Sequence, residues 1–182
     1  MNNEEQEKIR YAMHDIIASM CEHPDDVTVN LSPSVRKPIF TLTCHRSDYG
    51  VINGKRGVML DSLKLLLHFM ADKGDTVAEL ILDESGCVGE KSMRGQFAAD
   101  PEWNDNKLDQ LLQTTLPLVF GTNVNIGYDK VSSAATKVTI VIPETSSSSY
   151  ALSAETETAI EMVLRSIGMR QGQVIKTEIV SE

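Results

Sequence analysis

Apolar positions along this chain change their spacing several times, and each change marks the edge of an element. Ile9, Met13, Ile16, Ile17 and Met20 recur at helical intervals and predict an amphipathic helix near the start. Asn2 or Asn3 can cap it, and Glu4 and Glu5 sit near the positive end of its dipole. His23-Pro24-Asp25-Asp26 ends it, because proline lacks an amide donor and disfavours helix in the residue before it. Val27, Val29 and Leu31 then alternate as a strand, Ser32-Pro33-Ser34 turns the chain, and Ile39 to Cys44 returns as the second strand of a hairpin. Leu60, Leu63, Leu66, Leu67 and Met70 predict a helix that starts just past Gly57 and closes at Lys73-Gly74-Asp75. Val77 to Leu82 reads as a third strand, and a right-handed connection places it parallel to the second.

Residues 83–103 are rich in Gly, Asp, Glu and Ser without sustained periodicity and read as a connector. Beyond it the pattern starts again. Leu108, Leu111, Leu112, Leu116 and Val119 predict a helix that Pro117 can kink, with Trp103 before it as either a stacking surface or, the commoner role, an anchor against the core. Val124, Ile126 and Tyr128 alternate as one strand and Val138, Ile140 and Ile142 as another. Ile160, Val163, Leu164 and Ile167 predict a further helix ended by Gly168 to Gly172, and Val174 to Val180 is the last strand. The two halves also superpose as patterns. With a shift of about 97 positions, Leu63, Leu66, Leu67 and Met70 fall on Ile160, Val163, Leu164 and Ile167, and Val77 falls on Val174.

Composition narrows the setting. The chain has 182 residues, enough for one large domain or two small ones, and 41% are hydrophobic, enough for a core. Its three cysteines, Cys21, Cys44 and Cys87, are widely spaced and form no CxxC pair, so no disulfide frame or zinc site is indicated and a reducing cytoplasm fits. The N-terminus is polar and acidic, and no run of about 18 apolar residues occurs, so no membrane span or export signal is expected. A net charge of −9 argues against a protein that coats nucleic acid indiscriminately.

One stretch concentrates the chemistry. Gly54-Lys55-Arg56-Gly57 lies just before the second helix, so a glycine-bounded basic turn opens a helix. Glycines let another backbone come close, the first helical amides point outward, and two cations flank them, which suits phosphate. Asn53-Gly54 could instead form a tight hairpin, but the helical pattern that follows Gly57 favours a helix start. With Gly50-Val51-Ile52-Asn53 before it, the stretch resembles the helix-GxxG-helix of KH domains. The surrounding order, with His23-Pro24-Asp25-Asp26-Val27 leading into the first strand, resembles the type II KH fold of the small bacterial single-KH RNA-binding proteins over residues 10 to 82. The sequence departs from that family at Asn53, a position usually apolar there.

With the shift of about 97 positions and the repeated element order, this resemblance points to an α+β protein of two tandem KH-like units, each a three-stranded mixed sheet with helices packed on one face; the alternative is one larger α+β domain whose halves look alike. Residues 1–82 would be the RNA-binding unit and 104–182 a degenerate one, since Gly54 and Gly57 correspond to Ala151 and Ala154 and both cations are lost. The implied ligand is a short single-stranded RNA of about four nucleotides. Gly54, Lys55, Arg56 and Gly57 would grip its backbone, Ile52, Asn53 and Val58 would line the groove, and Arg46, with His45, would stand at its edge. Glycine at 57 would be required for phosphate access while the fold tolerates a side chain there, an Ala being neutral or stabilising by about 0.4 to 1 kcal/mol. Each unit expressed alone would then divide the labour: 1–82 keeps most of the RNA affinity and 104–182 has none, serving instead as packing or a protein-partner surface.

Other constellations carry no comparable signal. Asp25-Asp26 and Glu4-Glu5 are solvated cap and turn residues with no His or Cys at ligand spacing, GxxxxGK[ST] is absent, and the loop serines, including Ser146 to Ser149, form no nucleophile elbow. No catalytic residue, cofactor or metal is expected. The rival reading is a KH scaffold that binds protein, and an acidic rim around Lys55 and Arg56 would favour it.

Overall fold

The computed structural model describes residues 1–32, 37–71, 77–90, 103–121, 124–143 and 153–181. The expected turn at 33–34, the helix stop at 73–75, most of the connector and the serine run at 146–149 lie outside the described residues.

The first helix, α1 (Asn3–Met20), starts where its polar residues allow. The Asn2 side chain accepts from the Glu5 amide at 2.8 Å and the Glu5 carboxylate accepts from the Asn2 amide at 2.9 Å, a reciprocal capping box. After a 3-10 turn at Pro24–Asp26 come β1 (Thr28–Ser32) and β2 (Ile39–Thr43), paired antiparallel. A short helix α2 (Tyr49–Asn53) and a long one α3 (Val58–Ala71) then lead to β3 (Glu79–Leu82), which pairs parallel to β2. The central strand buries Phe40 and Leu42 completely, as its place between two neighbours requires. Two strands start later than their apolar pattern suggests. Val27 caps the 3-10 turn, and Val77 is exposed before β3 begins.

The second half repeats this plan with α4 (Asp105–Phe120), β4 (Asn125–Ser132), β5 (Ala135–Ile142), α5 (Ala154–Arg170) and β6 (Val174–Ser181). Again the first pair of strands is antiparallel, the last pair parallel, and the middle strand central. Pro117 lies in the last turn of α4, and the Gly121 amide closes the helix on the Pro117 carbonyl at 2.9 Å. Gly168 does not end α5 but is buried inside it, and the helix runs on to Arg170. Displaced by about 97 positions, α3 falls within α5, so the spacing read from apolar residues alone matches the elements themselves. The fold is thus an α+β pair of KH-like units, each a three-stranded mixed sheet backed by helices.

The units share their helical side. Helices α1 and α3 pack on the first sheet, α4 and α5 pack against the second, and both α1 and α3 pack against both α4 and α5. Ile16, Leu66 and Met70 from one half meet Leu112, Leu116 and Val163 from the other in a common apolar interior. Burying each such side chain stabilises the fold by about 1.5–3 kcal/mol. An isolated 1–82 fragment would leave this face in water, so the expected division into two separately working halves meets an energetic obstacle.

Candidate functional site

The GxxG turn is anchored from behind by a residue that sequence reasoning passed over. Asp48, which precedes α2, is fully buried, and its carboxylate accepts from the backbone amides of Glu22 at 2.8 Å and His23 at 2.9 Å. Its Oδ2 also lies 3.2 Å from His23 Nδ1. A buried carboxylate must find donors, and here it finds them in the turn after α1, which ties α2 to that turn. The His23 ring stacks on His45 with centroids 3.9 Å apart, and the Ser47 hydroxyl bridges the two Nδ1 atoms at 2.6 Å from His45 and 3.3 Å from His23. Glu22, His23 and Asp48 bring possible donor atoms within 4.8 Å of one another, but this internal bonding already accounts for both Asp48 oxygens.

From α2 the chain enters a turn of unusual backbone. The Gly54 amide closes α2 on the Gly50 carbonyl at 3.0 Å, and Gly54 itself has φ 70° and ψ 176°, a region essentially reserved for glycine. Arg56 is left-handed at φ 61°, ψ 24°, and Gly57 follows at φ 84°. Three of the four residues therefore have positive φ, and Arg56 is the single non-glycine to do so among the described residues. The Gly57 amide folds back to the Gly54 carbonyl and the Val58 amide to the Lys55 carbonyl, so the turn passes directly into α3. Lys55 and Arg56 are left exposed. No hairpin forms at Asn53-Gly54, because Asn53 is the last residue of α2. The tolerance expected of Gly57 does not hold either: space is open there, but its positive φ strains any side-chain-bearing residue.

Around the turn lies a hollow. On one side Gly50, Val51, Gly54, Lys55, Arg56 and Val58 line it, with Met59 deeper. On the other, α5 supplies Met162, Arg165, Ser166 and Met169. None of these lining residues carries a carboxylate. The structure thus brings Gly54, Lys55, Arg56 and Val58 together, with Gly57 next to them and half-buried Asn53 beneath. Two expected members are elsewhere. Ile52 is 0% exposed and is the one fully buried residue of α2, while Tyr49 and Val51 pack against the core in part. Arg46 lines a separate hollow with Tyr49, Glu84 and Cys87 and donates to the Cys87 carbonyl at 3.4 Å. His45 is engaged by His23 and Ser47. The α5 wall carried no sequence signal of its own, since only tertiary packing sets it beside the turn.

The thiols lie inward. Cys44 and Cys87 are buried with sulfurs 3.7 Å apart, and burial, with Cys87 alongside, pushes the Cys44 thiol up to about 12. Burial raises the Cys21 thiol as well. Neither is a thiolate at neutral pH. Tyr128, on β4, donates to Asp109 on α4 at 2.9 Å, and burial followed by that carboxylate raises its phenol. Trp103 packs half-buried against the core. No helix among the described residues is long and apolar enough to cross a membrane.

Comparison with known proteins falls on the first unit. A family model described as KhpA/KhpB, KH domain matches residues 11–82. The RNA-binding protein KhpA of Oceanobacillus iheyensis is 28% identical over 68 residues, which span 37% of this chain and 88% of that protein. The matched segment runs from within α1 to the end of β3 and contains the whole helix-GxxG-helix passage, with its sheet order and its glycine-dependent turn. Residues 11–82 are thus similar to the KH domain of the KhpA/KhpB family, which supports a KH domain of the small bacterial single-KH type in this half of the chain.

Proposed function

We propose that this chain is a non-catalytic RNA-binding protein that holds a short single-stranded RNA at the Gly54–Gly57 turn. The observation that carries the reading is the turn itself: positive φ at Gly54, Arg56 and Gly57 presents Lys55 and Arg56 to solvent beside a hollow with no carboxylate among its described lining residues. Backbone held in such conformations clusters where a ligand is gripped. The similar KhpA protein is an RNA-binding protein by name, and a phosphodiester is the ligand that two cations and a bare glycine backbone suit. An acidic rim would favour a protein-binding scaffold; the described lining residues support RNA instead. The net charge of −9 then restricts contact to this local positive site and makes binding modest and salt-sensitive.

In this reading residues 1–82 carry the grip, 83–103 connect, and 104–182 form a KH-like unit without the glycine turn. Three buried free thiols suit a reducing compartment such as the cytoplasm. The test is the full chain with Lys55→Asp and Arg56→Asp together, titrated against a labelled mixed-sequence RNA of about 12 nucleotides. Binding should be lost while the thermal midpoint is kept, because both side chains are exposed. Unchanged affinity overturns the reading.

A further inference from the structure

The hollow beside the turn has two walls, and the second belongs to the unit that lacks a GxxG. We propose that α5 completes the RNA groove: Arg165 holds a phosphate beyond the one gripped at the turn, and Met162 and Met169 form an apolar surface on which a base rests. This deepens the RNA-binding reading above and rests on it.

Three observations support it. First, the wall is fixed in place. Helix α5 packs directly on α3, the helix that the turn opens, and the Ser62 hydroxyl lies 3.5 Å from the Met162 sulfur. Met162, Arg165 and Met169 follow one another at intervals of three and four, so they share one face of α5, and that face borders the hollow. Second, the cations there are uncommitted. Lys8, Arg10, Lys37, Lys130 and Lys137 each hold a carboxylate partner. Among the described residues Lys55, Arg56 and Arg165 have none, although Glu161 stands only one turn before Arg165. In a chain of net charge −9, three such cations around a hollow with no carboxylate among its described lining residues make a local attraction for a polyanion.

Third, Met169 is 72% exposed and Met162 only part-buried, on a helix whose remaining large apolar residues, Ile160, Val163, Leu164 and Ile167, are 3% exposed or less. A flexible, polarisable thioether left in water beside two cationic positions suits the face of a flat aromatic base, which it can follow without a fixed geometry. Val58, 47% exposed at the start of α3, extends the apolar surface from the other wall. The second unit, having no grip of its own, would thereby lengthen the path of the strand that the first unit holds.

The experiment uses the full chain and the same labelled 12-nucleotide RNA, across a salt series. Arg165→Glu should weaken binding about tenfold and reduce the steepness of the salt dependence by about one, with the thermal midpoint unchanged, and Arg165→Lys should restore most of the affinity. Met169→Ser should weaken binding about fivefold without changing the salt slope, the pattern of a lost stacking surface. If Arg165→Glu and Met169→Ser bind as the parent does while the Lys55/Arg56 reversal abolishes binding, the groove ends at the turn and this proposal fails alone. If the parent itself does not bind the RNA, both readings fall.

Discussion

A methyl group placed on Gly54 would stand 2.7 Å from the Met59 Cβ and 2.8 Å from the Met59 backbone nitrogen. The end of α2 and the first turn of α3 therefore meet backbone to backbone, and no side-chain rotation can relieve an intrusion there. Gly54→Ala adds this collision to a φ/ψ pair that only glycine adopts readily, and it should lower stability by about 3 kcal/mol in urea unfolding. At Gly57 the nearest atom to such a methyl is Asn53 Oδ1 at 3.9 Å, so Gly57→Ala bears only the left-handed backbone cost of about 1–2 kcal/mol. The order of the two variants is the check. Equal losses, or a stabilised Gly57→Ala, would contradict this geometry.

Asp48 offers a second test of how the turn is held. Removing its carboxylate leaves the amides of Glu22 and His23 without their acceptor in a part-buried setting. Asp48→Ala should therefore cost about 2–4 kcal/mol, and Asp48→Asn less, since its amide oxygen can still serve one of the two. Amide hydrogen exchange at residues 22 and 23 should quicken in the alanine variant. Parent-like exchange there would show that α2 is anchored by other means.

The periodic elements were legible because burial is periodic. Ile9, Met13, Ile16, Ile17 and Met20 are all buried on α1, and Val138, Ile140 and Ile142 on β5. The GxxG passage was legible because glycine, cation and helix start coincide in four residues. What the pattern could not show lies in relations across the chain. Asp48 carries no mark in the pattern until its donors, 25 and 26 residues away, are seen to fold against it. Ile52 reads as a groove residue until α2 proves to be a short helix whose one fully buried position it fills. Apolar stripes also cannot say whose core they fill. Those of α3 and α5 were assigned to separate units, yet the two helices pack on each other, and that contact is what sets Arg165 beside the turn.

Alkaline pH should destabilise the protein. The Cys44 thiol titrates from a reference of 9.0 when unfolded and is raised to about 12 when folded, so the folded state keeps its proton where the unfolded state loses it. The contribution to stability is complete below pH 9 and is lost progressively as pH rises from 9 towards 12. Cys21 and Tyr128, also raised by burial, act in the same direction. Urea midpoints should be level between pH 7 and about 8.5 and fall at higher pH. In Cys44→Ala, whatever its midpoint at pH 7, the fall should be shallower. An unaltered slope would show that Cys44 is ionised as easily folded as unfolded.

Arg56 separates the demands of folding from those of binding. It is held at φ 61°, where a Cβ crowds the backbone at a cost of about 1–2 kcal/mol, and its exposed side chain returns no ion pair among the described residues. Arg56→Gly relieves that strain but also frees the unfolded chain, which recovers about 0.4–1 kcal/mol of the gain. The net expectation is a protein slightly more stable than the parent, by about 0.5 kcal/mol, with a higher urea midpoint. RNA affinity should move the other way, because one of the two cations between the glycines is gone and the salt dependence loses about one unit of slope. Arg56→Lys serves as the control: it keeps the charge and the strained backbone, so it should match the parent in stability and retain most of the binding. Should Arg56→Gly be both less stable and equally tight in binding, the strain at this position would have no link to phosphate recognition, and the turn would be a structural corner only.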